Sequence, residues 1–185
     1  MSTWNFVTTN DYKFKKFMEV AMDMNLDCEQ LCEQTPEIQA DSNADVAKFS
    51  AKWAAEKFKK NVICEDVGMY LKHYKGFPGV YLSYVEKWLG SEGLLKLMED
   101  VADRAARWEY AVSYCRPGED PVVVSTNLGG RIAYKAKGSG GWATDSIFLP
   151  EGESRTIAEL LDVGEFRRSR FHYEEIVKKI CEKQS

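Results

Sequence analysis

Two hydrophobic periodicities alternate at the start of the chain. The run from Trp4 to Thr9 is rich in aromatic and β-branched residues, which predicts a short buried strand. Asn10 and Asp11 then supply the side chains that cap helices. The next apolar positions recur with helical spacing and predict one apolar stripe, formed by Phe14, Phe17, Met18, Ala21 and Met22. A strand therefore passes directly into a helix.

This alternation of strand and helix continues to residue 66. Residues 26–33 form a plausible second strand, and Thr35-Pro36 interrupts the chain because the residue before proline avoids the helical region. An apolar face over 41–60 predicts a second helix, and residues 62–66 predict a third strand. Glu37 is thereby placed near the boundary of an element.

The remaining two thirds are richer in predicted strands. Glycine and proline mark a turn at 76–79, and helical spacing returns before a β-rich stretch. The predicted elements are helices over 81–89 and 91–102, strands over 107–115 and 122–126, a continuation through 131–134, and a final helix carrying Tyr173, Ile176, Val177 and Ile180. We expect an α/β fold around a mixed sheet, in a single domain of residues 1–185.

Composition narrows the classes of function. The 185 residues are 44% apolar and carry a net charge of −4, so no general basic field favours binding to a nucleic acid polymer. No apolar run approaches the roughly 20 residues that span a membrane. Five cysteines without a secretory leader ahead of Trp4 argue against a disulfide framework, so we expect a cytoplasmic protein. The pattern assigns no role to Cys28 and Cys32.

The first junction between strand and helix is a candidate phosphate site. Free backbone N–H groups and the positive end of the helix dipole favour an anion at such a point. Thr8, Thr9, Asn10 and Lys13 lie there and can surround a triphosphate. An ordinary capped helix with a solvated lysine explains the same residues.

Carboxylates supply a second candidate site. Glu37 lies at the entry to a helix, and Glu65-Asp66 is placed at the end of the third predicted strand. Hard carboxylate oxygens suit Mg²⁺, with Mn²⁺ as the alternative, and such an ion activates water for attack on phosphorus. A surface carboxylate that caps a turn before Gly68 is the competing interpretation of Asp66.

Two further segments can recognise a base. In the glycine-rich stretch that leads to Trp142, Thr144 and Asp145, an exposed ring can stack on a base and a carboxylate can read its edge. A loop with a packing tryptophan is an equally good interpretation. The arginine-rich run 167–170 can bind phosphate or a base carbonyl, although a solvated arginine cluster is commoner.

Taken together, these segments closely resemble the inosine triphosphate pyrophosphatase family, also called XTP/dITP diphosphatases. The resemblance covers almost the whole chain and rests on the order of the motifs. They are Thr8-Thr9-Asn10 with Lys13, Glu37-Ile38-Gln39, Glu65-Asp66-Val67-Gly68, Phe77-Pro78-Gly79, Gly129-Gly130-Arg131-Ile132, Trp142 to Phe148, Pro150-Glu151-Gly152 and Thr156 to Leu160.

The resemblance implies a function and a set of roles. It implies hydrolysis of noncanonical purine nucleoside triphosphates (ITP, dITP, XTP) to a monophosphate and pyrophosphate, by a homodimer with an elongated mixed sheet, two lobes and a cleft between them. Asp66 would be the general base and, with Glu37, a metal ligand. The implied phosphate residues are Thr8, Thr9, Asn10 and Lys13, and the implied base residues are Trp142, Thr144, Asp145, Ser169 and Arg170.

Several positions depart from the family pattern. Gly164 and Ser169 stand where the family carries a lysine and a histidine that bind a 6-oxo purine, and Arg167 or Arg168 could substitute for them. Val67 removes a hydroxyl after the metal-binding aspartate. Two alternatives therefore stay open, which are the same chemistry with a different base preference and a nucleotide-binding module without turnover.

Overall fold

The computed structural model describes residues 3–183. The chain divides into two compact units, and three strands, β3, β5 and β6, contribute residues to both. Unit 1 draws its described residues from Met1–Asp66, Tyr110–Thr126 and Ser169–Ser185, and unit 2 consists of Val67–Glu109 and Asn127–Arg168.

The architecture is a mixed seven-stranded sheet with helices, which confirms the predicted α/β class. The strand order is β2-β1-β3-β5-β6-β7, and β4 pairs with β3. The strands are β1 Trp4–Val7, β2 Cys28–Leu31, β3 Val62–Leu71, β4 Pro78–Gly79, β5 Ala105–Cys115, β6 Val122–Ile132 and β7 Phe148–Pro150. The helices are α1 Asp11–Asp23, α2 Asn43–Phe58, α3 Leu82–Trp88, α4 Gly90–Leu97, a 3-10 helix Ala143–Ile147, α5 Ile157–Asp162 and α6 Phe171–Glu182.

In unit 1, the two-residue period of the strands sorts side chains onto two sheet faces. β1 pairs in parallel with both β2 and β3. On one face, Phe6 and Ile63 belong to a core that includes residues of α1 and α6. On the other face, Val7 and Cys64 pack with the buried alanines of α2. The alternation therefore places Glu65 on the same sheet face as Ile63, and Asp66 on the same face as Cys64.

Unit 2 is organised around the 3-10 helix, which packs against α4 and α5. Arg104 is buried here and donates hydrogen bonds to the carbonyl oxygens of Met98, Ile132 and Ala133. Helix α5 was not predicted, although its capping box was visible in the sequence, since Thr156 Oγ1 accepts from Glu159 N and Glu159 accepts from Thr156 N.

The end of the third strand was predicted wrongly. β3 continues to Leu71 instead of ending at Asp66. The extension is stabilised because Met69, Tyr70 and Leu71 are buried, and because Met69 and Tyr70 pair with β4. It is β1 that ends near the carboxylates, since its last pairing with β3 joins Phe6 and Ile63.

Candidate active site

The junction between β1 and α1 is a tightly capped helix start. Asn10 Oδ1 accepts from Tyr12 N and Lys13 N at 3.0 and 3.2 Å, and Thr8 Oγ1 accepts from Asn10 N at 3.0 Å. Thr9 and Asn10 are exposed. The predicted phosphate residues thus lie together, and the cap orders the turn on which they stand.

Lys13 leads from this turn to a buried carboxylate. Its Nζ lies 3.6 Å from Glu65 Oε2, and the Glu65 side chain is only 3% exposed. Burial acts to raise the pKa of Glu65, but Lys13, His172 and Tyr173 outweigh it, so the pKa lies below its ordinary value. Glu65 is therefore an ionised partner that holds the ammonium group beside the capped turn.

Helix α6 completes the environment of Glu65. Tyr173 Oη donates to Glu65 Oε1 at 2.7 Å, and His172 Nε2 lies 3.3 Å from the same oxygen. The ring of Tyr110 stacks on His172 with a centroid distance of 5.5 Å. Sequence reasoning missed this cluster because Tyr173 fits the apolar stripe of α6, so nothing in the local pattern marked it as a polar contact.

Asp66 has fewer stabilising partners than Glu65, and its pKa is shifted in the opposite direction. Asn43 Nδ2, at the start of α2, donates to Asp66 Oδ2 at 2.6 Å. Burial raises the pKa of Asp66 to about 6, helped by the charges of Glu65 and Glu37 and opposed by Lys13 and Asn43. An aspartate with this pKa is mostly ionised at neutral pH yet can accept a proton.

The charge of Glu37 contributes to the raised pKa of Asp66, so these two predicted metal ligands interact electrostatically. Glu37 is exposed in the irregular segment before α2. Within residues 3–183 no three or more His, Cys, Asp and Glu side chains form a metal-binding group. Magnesium commonly uses one or two carboxylates and completes its shell with water and phosphate, so this pair of hard oxygen donors fits it.

The predicted base residues Trp142, Thr144 and Asp145 lie in unit 2, at the 3-10 helix. Thr144 is buried and its hydroxyl donates to Glu86 Oε1 at 2.5 Å. Asp145 is also fully buried, and its Oδ2 accepts from Trp142 N at 2.6 Å. Both side chains therefore hold the 3-10 helix in place.

Ser169 and Arg170 have different surroundings, in unit 1. Ser169 Oγ accepts from Phe171 N at 3.3 Å, at the start of α6. Arg170 forms ion pairs with Asp23 at 2.5 Å and with Glu174 at 3.6 Å. In the described contacts, these two residues stabilise helix ends, and their predicted role at the base stays a prediction.

A cavity of about 740 Å³ in unit 2 is a separate feature. Its lining contains none of the residues predicted for the site. The charged residues along it are of both signs, namely Arg104, Arg131, Lys135, Lys137, Glu151 and Glu159. Four of these residues are cationic and two are anionic, so the cavity is a region of net positive charge in unit 2 that is separate from the predicted site.

A family model described as the Ham1 family matches residues 4–166, which is most of the chain. The chain belongs to the Ham1 family. The relatives of this chain include proteins named dITP/XTP pyrophosphatase, and that of Methanopyrus kandleri is 38% identical over 84% of this chain and 82% of its own length. The counterpart from Ignicoccus hospitalis is 40% identical over 84% of this chain and 83% of its own length. These matches confirm the family resemblance inferred from the motifs.

Solved structures of Ham1 proteins support the fold. A HAM1 protein from Coxiella burnetii superimposes with a TM-score of 0.84 at 22% identity, over 99% of this chain and 100% of that chain. A Ham1 protein of Staphylococcus aureus gives a TM-score of 0.72 at 19% identity, over 98% and 100%. Among residues 3–183, no helix has the length and apolar character needed to cross a membrane.

Proposed function

We propose that this chain hydrolyses noncanonical purine nucleoside triphosphates, such as ITP, dITP and XTP, to a nucleoside monophosphate and pyrophosphate. The observation that carries the proposal is the convergence in unit 1 of a capped, cationic helix start with Asp66, whose pKa is about 6. The names of the relatives from Methanopyrus kandleri and Ignicoccus hospitalis support it, since both are called dITP/XTP pyrophosphatases.

The residues of unit 1 have distinct tasks in this reaction. Lys13 and the positive end of the α1 helix dipole attract the triphosphate. Asp66 accepts a proton from the water that attacks phosphorus, while Asn43 orients the carboxylate by its hydrogen bond of 2.6 Å. Cleavage between the α and β phosphates then yields the monophosphate and pyrophosphate.

Glu37 and Asp66 are the residues that would hold a magnesium or manganese ion. Their mutual repulsion, which helps to raise the pKa of Asp66, is relieved when a divalent cation neutralises both charges. When bound, the cation compensates the negative charge of the phosphates and makes an attacking water more acidic. Nucleotide metabolism is the corresponding cellular role.

A product assay tests the proposal. Purified protein is incubated with magnesium and a panel of ITP, XTP, GTP and ATP, and monophosphate, diphosphate and pyrophosphate are resolved by chromatography. We expect monophosphate and pyrophosphate in equal amounts from ITP and XTP. Diphosphate with orthophosphate would contradict the site of cleavage, and no product from any nucleotide would favour a nucleotide-binding module.

Two substitutions test the assignment of the carboxylates. Asp66→Asn and Glu37→Gln keep the size of each side chain but remove its charge, so each is expected to lower kcat at saturating magnesium by at least about 100-fold. Glu33→Gln is a matched control, because Glu33 is an exposed carboxylate on the same irregular segment as Glu37. Unchanged rates in Asp66→Asn would remove it as the base.

We also propose a cytoplasmic homodimer. All five cysteines are free thiols, including the exposed Cys32, which suits a reducing compartment.

Helix α3 and its flanks expose a group of large apolar side chains that water solvates poorly, namely Tyr81, Tyr84, Trp88 and Leu89. This aromatic group is the proposed contact between two copies of the chain.

A further inference from the structure

The cavity of unit 2 has the dimensions of a ligand site. Its volume of about 740 Å³ lies within the range of roughly 300–1,000 Å³ that small-molecule sites occupy. All of its lining residues belong to unit 2, and none of them takes part in the proposed reaction. A molecule bound here would therefore be additional to the substrate.

One wall of the cavity carries a buried cation. Arg104 is only 6% exposed, and its nitrogens donate to three backbone carbonyl groups. Within residues 3–183 no carboxylate forms an ion pair with Arg104. Carbonyl dipoles solvate the guanidinium but leave its net charge uncompensated, so Arg104 contributes a positive potential to the cavity.

The other cations of the cavity differ in how far they are neutralised. Lys137 Nζ lies 4.0 Å from Glu159 Oε1, so these two charges compensate each other. Arg131 and Lys135 are exposed, and neither forms an ion pair with any residue that the structure describes. Both exposed cations are therefore available to a negatively charged ligand.

An aromatic ring lies beside these cations. Tyr134 lines the cavity and is 82% exposed, and the guanidinium carbon of Arg104 lies 4.4 Å from the centre of its ring. This cation–π contact covers one face of the ring, and the high exposure leaves the other face open. An open aromatic face stacks on any nucleobase, since every base has a π face.

We propose that this cavity is a second nucleotide site, which takes a nucleoside monophosphate with its base on Tyr134 and its phosphate on Arg131 and Lys135. Glu151 is the remaining carboxylate of the lining, and it accepts hydrogen bonds from the ribose hydroxyl groups. A phosphate monoester carries about two negative charges at neutral pH. This charge matches the excess of Arg104, Arg131 and Lys135 over Glu151.

Calorimetry with AMP tests the site and needs no turnover. We expect AMP to bind with a Kd of about 1 mM or lower, and adenosine and inorganic phosphate to bind at least about tenfold more weakly, because each lacks half of the contacts. Adenosine as tight as AMP would overturn the role of the cations. Phosphate as tight as AMP would overturn the nucleotide assignment, and no binding of AMP would overturn the site.

Two pairs of variants locate the ligand. Tyr134→Leu should raise the Kd for AMP at least about fivefold, whereas Tyr134→Phe keeps the ring and should retain binding. Lys135→Gln should also weaken binding, and Lys96→Gln is its matched control, because Lys96 is an exposed lysine of unit 2 outside the cavity. An unchanged Kd in Tyr134→Leu would overturn the stacking of the base.

Lys13→Gln distinguishes the cavity from the proposed active site in unit 1. Titration of this variant with AMP should give the same cavity Kd as the wild-type protein, since Lys13 does not line the cavity. Loss of binding in Lys13→Gln, with binding retained in Tyr134→Leu, would assign AMP to the active site alone and overturn the inference. Loss in Tyr134→Leu alone would support it even if no triphosphate were hydrolysed.

Discussion

Glu65 and Asp66 are adjacent in β3, but their pKa values are shifted in opposite directions. Successive side chains of a strand point to opposite faces, so Glu65 meets Lys13 and Tyr173 while Asp66 meets Asn43. The pKa of Glu65 is lowered and that of Asp66 is raised to about 6. Glu65 therefore serves as a fixed counter-charge, and Asp66 is left as the carboxylate that can exchange a proton.

This difference predicts a pH dependence. Below pH 6 the Asp66 carboxyl is protonated and accepts no proton from water, so kcat/KM at limiting magnesium should fall about tenfold per pH unit below a limb near 6. Raising the magnesium concentration should move the limb to lower pH, because the cation competes with the proton.

The Asn43→Ala variant checks which group causes the limb. The hydrogen bond from Asn43 lowers the pKa of Asp66, so its loss should move the limb to higher pH. Ser42→Ala is the control for damage to the start of α2, since Ser42 caps that helix, and it should leave the limb in place. A limb near 4, the ordinary value for aspartate, would contradict this assignment.

At the scale of elements, the site depends on where strands end and how closely they pack. Because β1 stops while β3 continues, the turn at Thr8 lies near the carboxylates of β3, and Lys13 after that turn pairs with Glu65. In unit 2, Gly130 of β6 pairs with Pro150 of β7, the strand that directly follows the 3-10 helix.

Gly130→Ala should be strongly destabilising. A methyl group at Gly130 would lie 2.3 Å from the backbone oxygen of Leu149 and 2.6 Å from the Phe148 ring. The backbone of a paired strand cannot move away without disturbing its pairing. We expect a loss of about 2–3 kcal/mol in the free energy of unfolding, measured by urea denaturation. Gly129→Ala is the control, because its methyl group would meet the end of the Glu151 side chain at 3.3 Å. Similar losses in both variants would contradict the packing argument.

At the scale of the whole molecule, the exposed aromatic group on α3 has the strongest consequence. Trp88 is 71% exposed and its ring contacts that of Tyr84 at a centroid distance of 5.3 Å. A paired aromatic surface of this kind is favourable to bury against a second copy.

Sedimentation analysis measures the assembly. The wild-type chain should sediment as a dimer at micromolar concentration. Trp88→Glu should raise the Kd of the dimer by at least about tenfold, because dimerisation would then bury a charge in place of the ring. Met22→Glu is the matched control, because Met22 is also 71% exposed but lies on α1. A monomeric wild-type protein would contradict the homodimer, and a dimeric Trp88→Glu would place the contact on another surface.

The sequence by itself determined the order of most elements, the α/β class and the family. These features depend on local periodicity, on caps such as Asn10 and on the order of motifs, all of which lie within short stretches of chain. Only the tertiary structure decided which residues contact one another. Tyr173 is 108 positions from Glu65, and Arg168 is 23 positions from Asp145. No local pattern encodes such pairs, because a residue's charge and hydrogen-bonding state are set by the elements that pack against it.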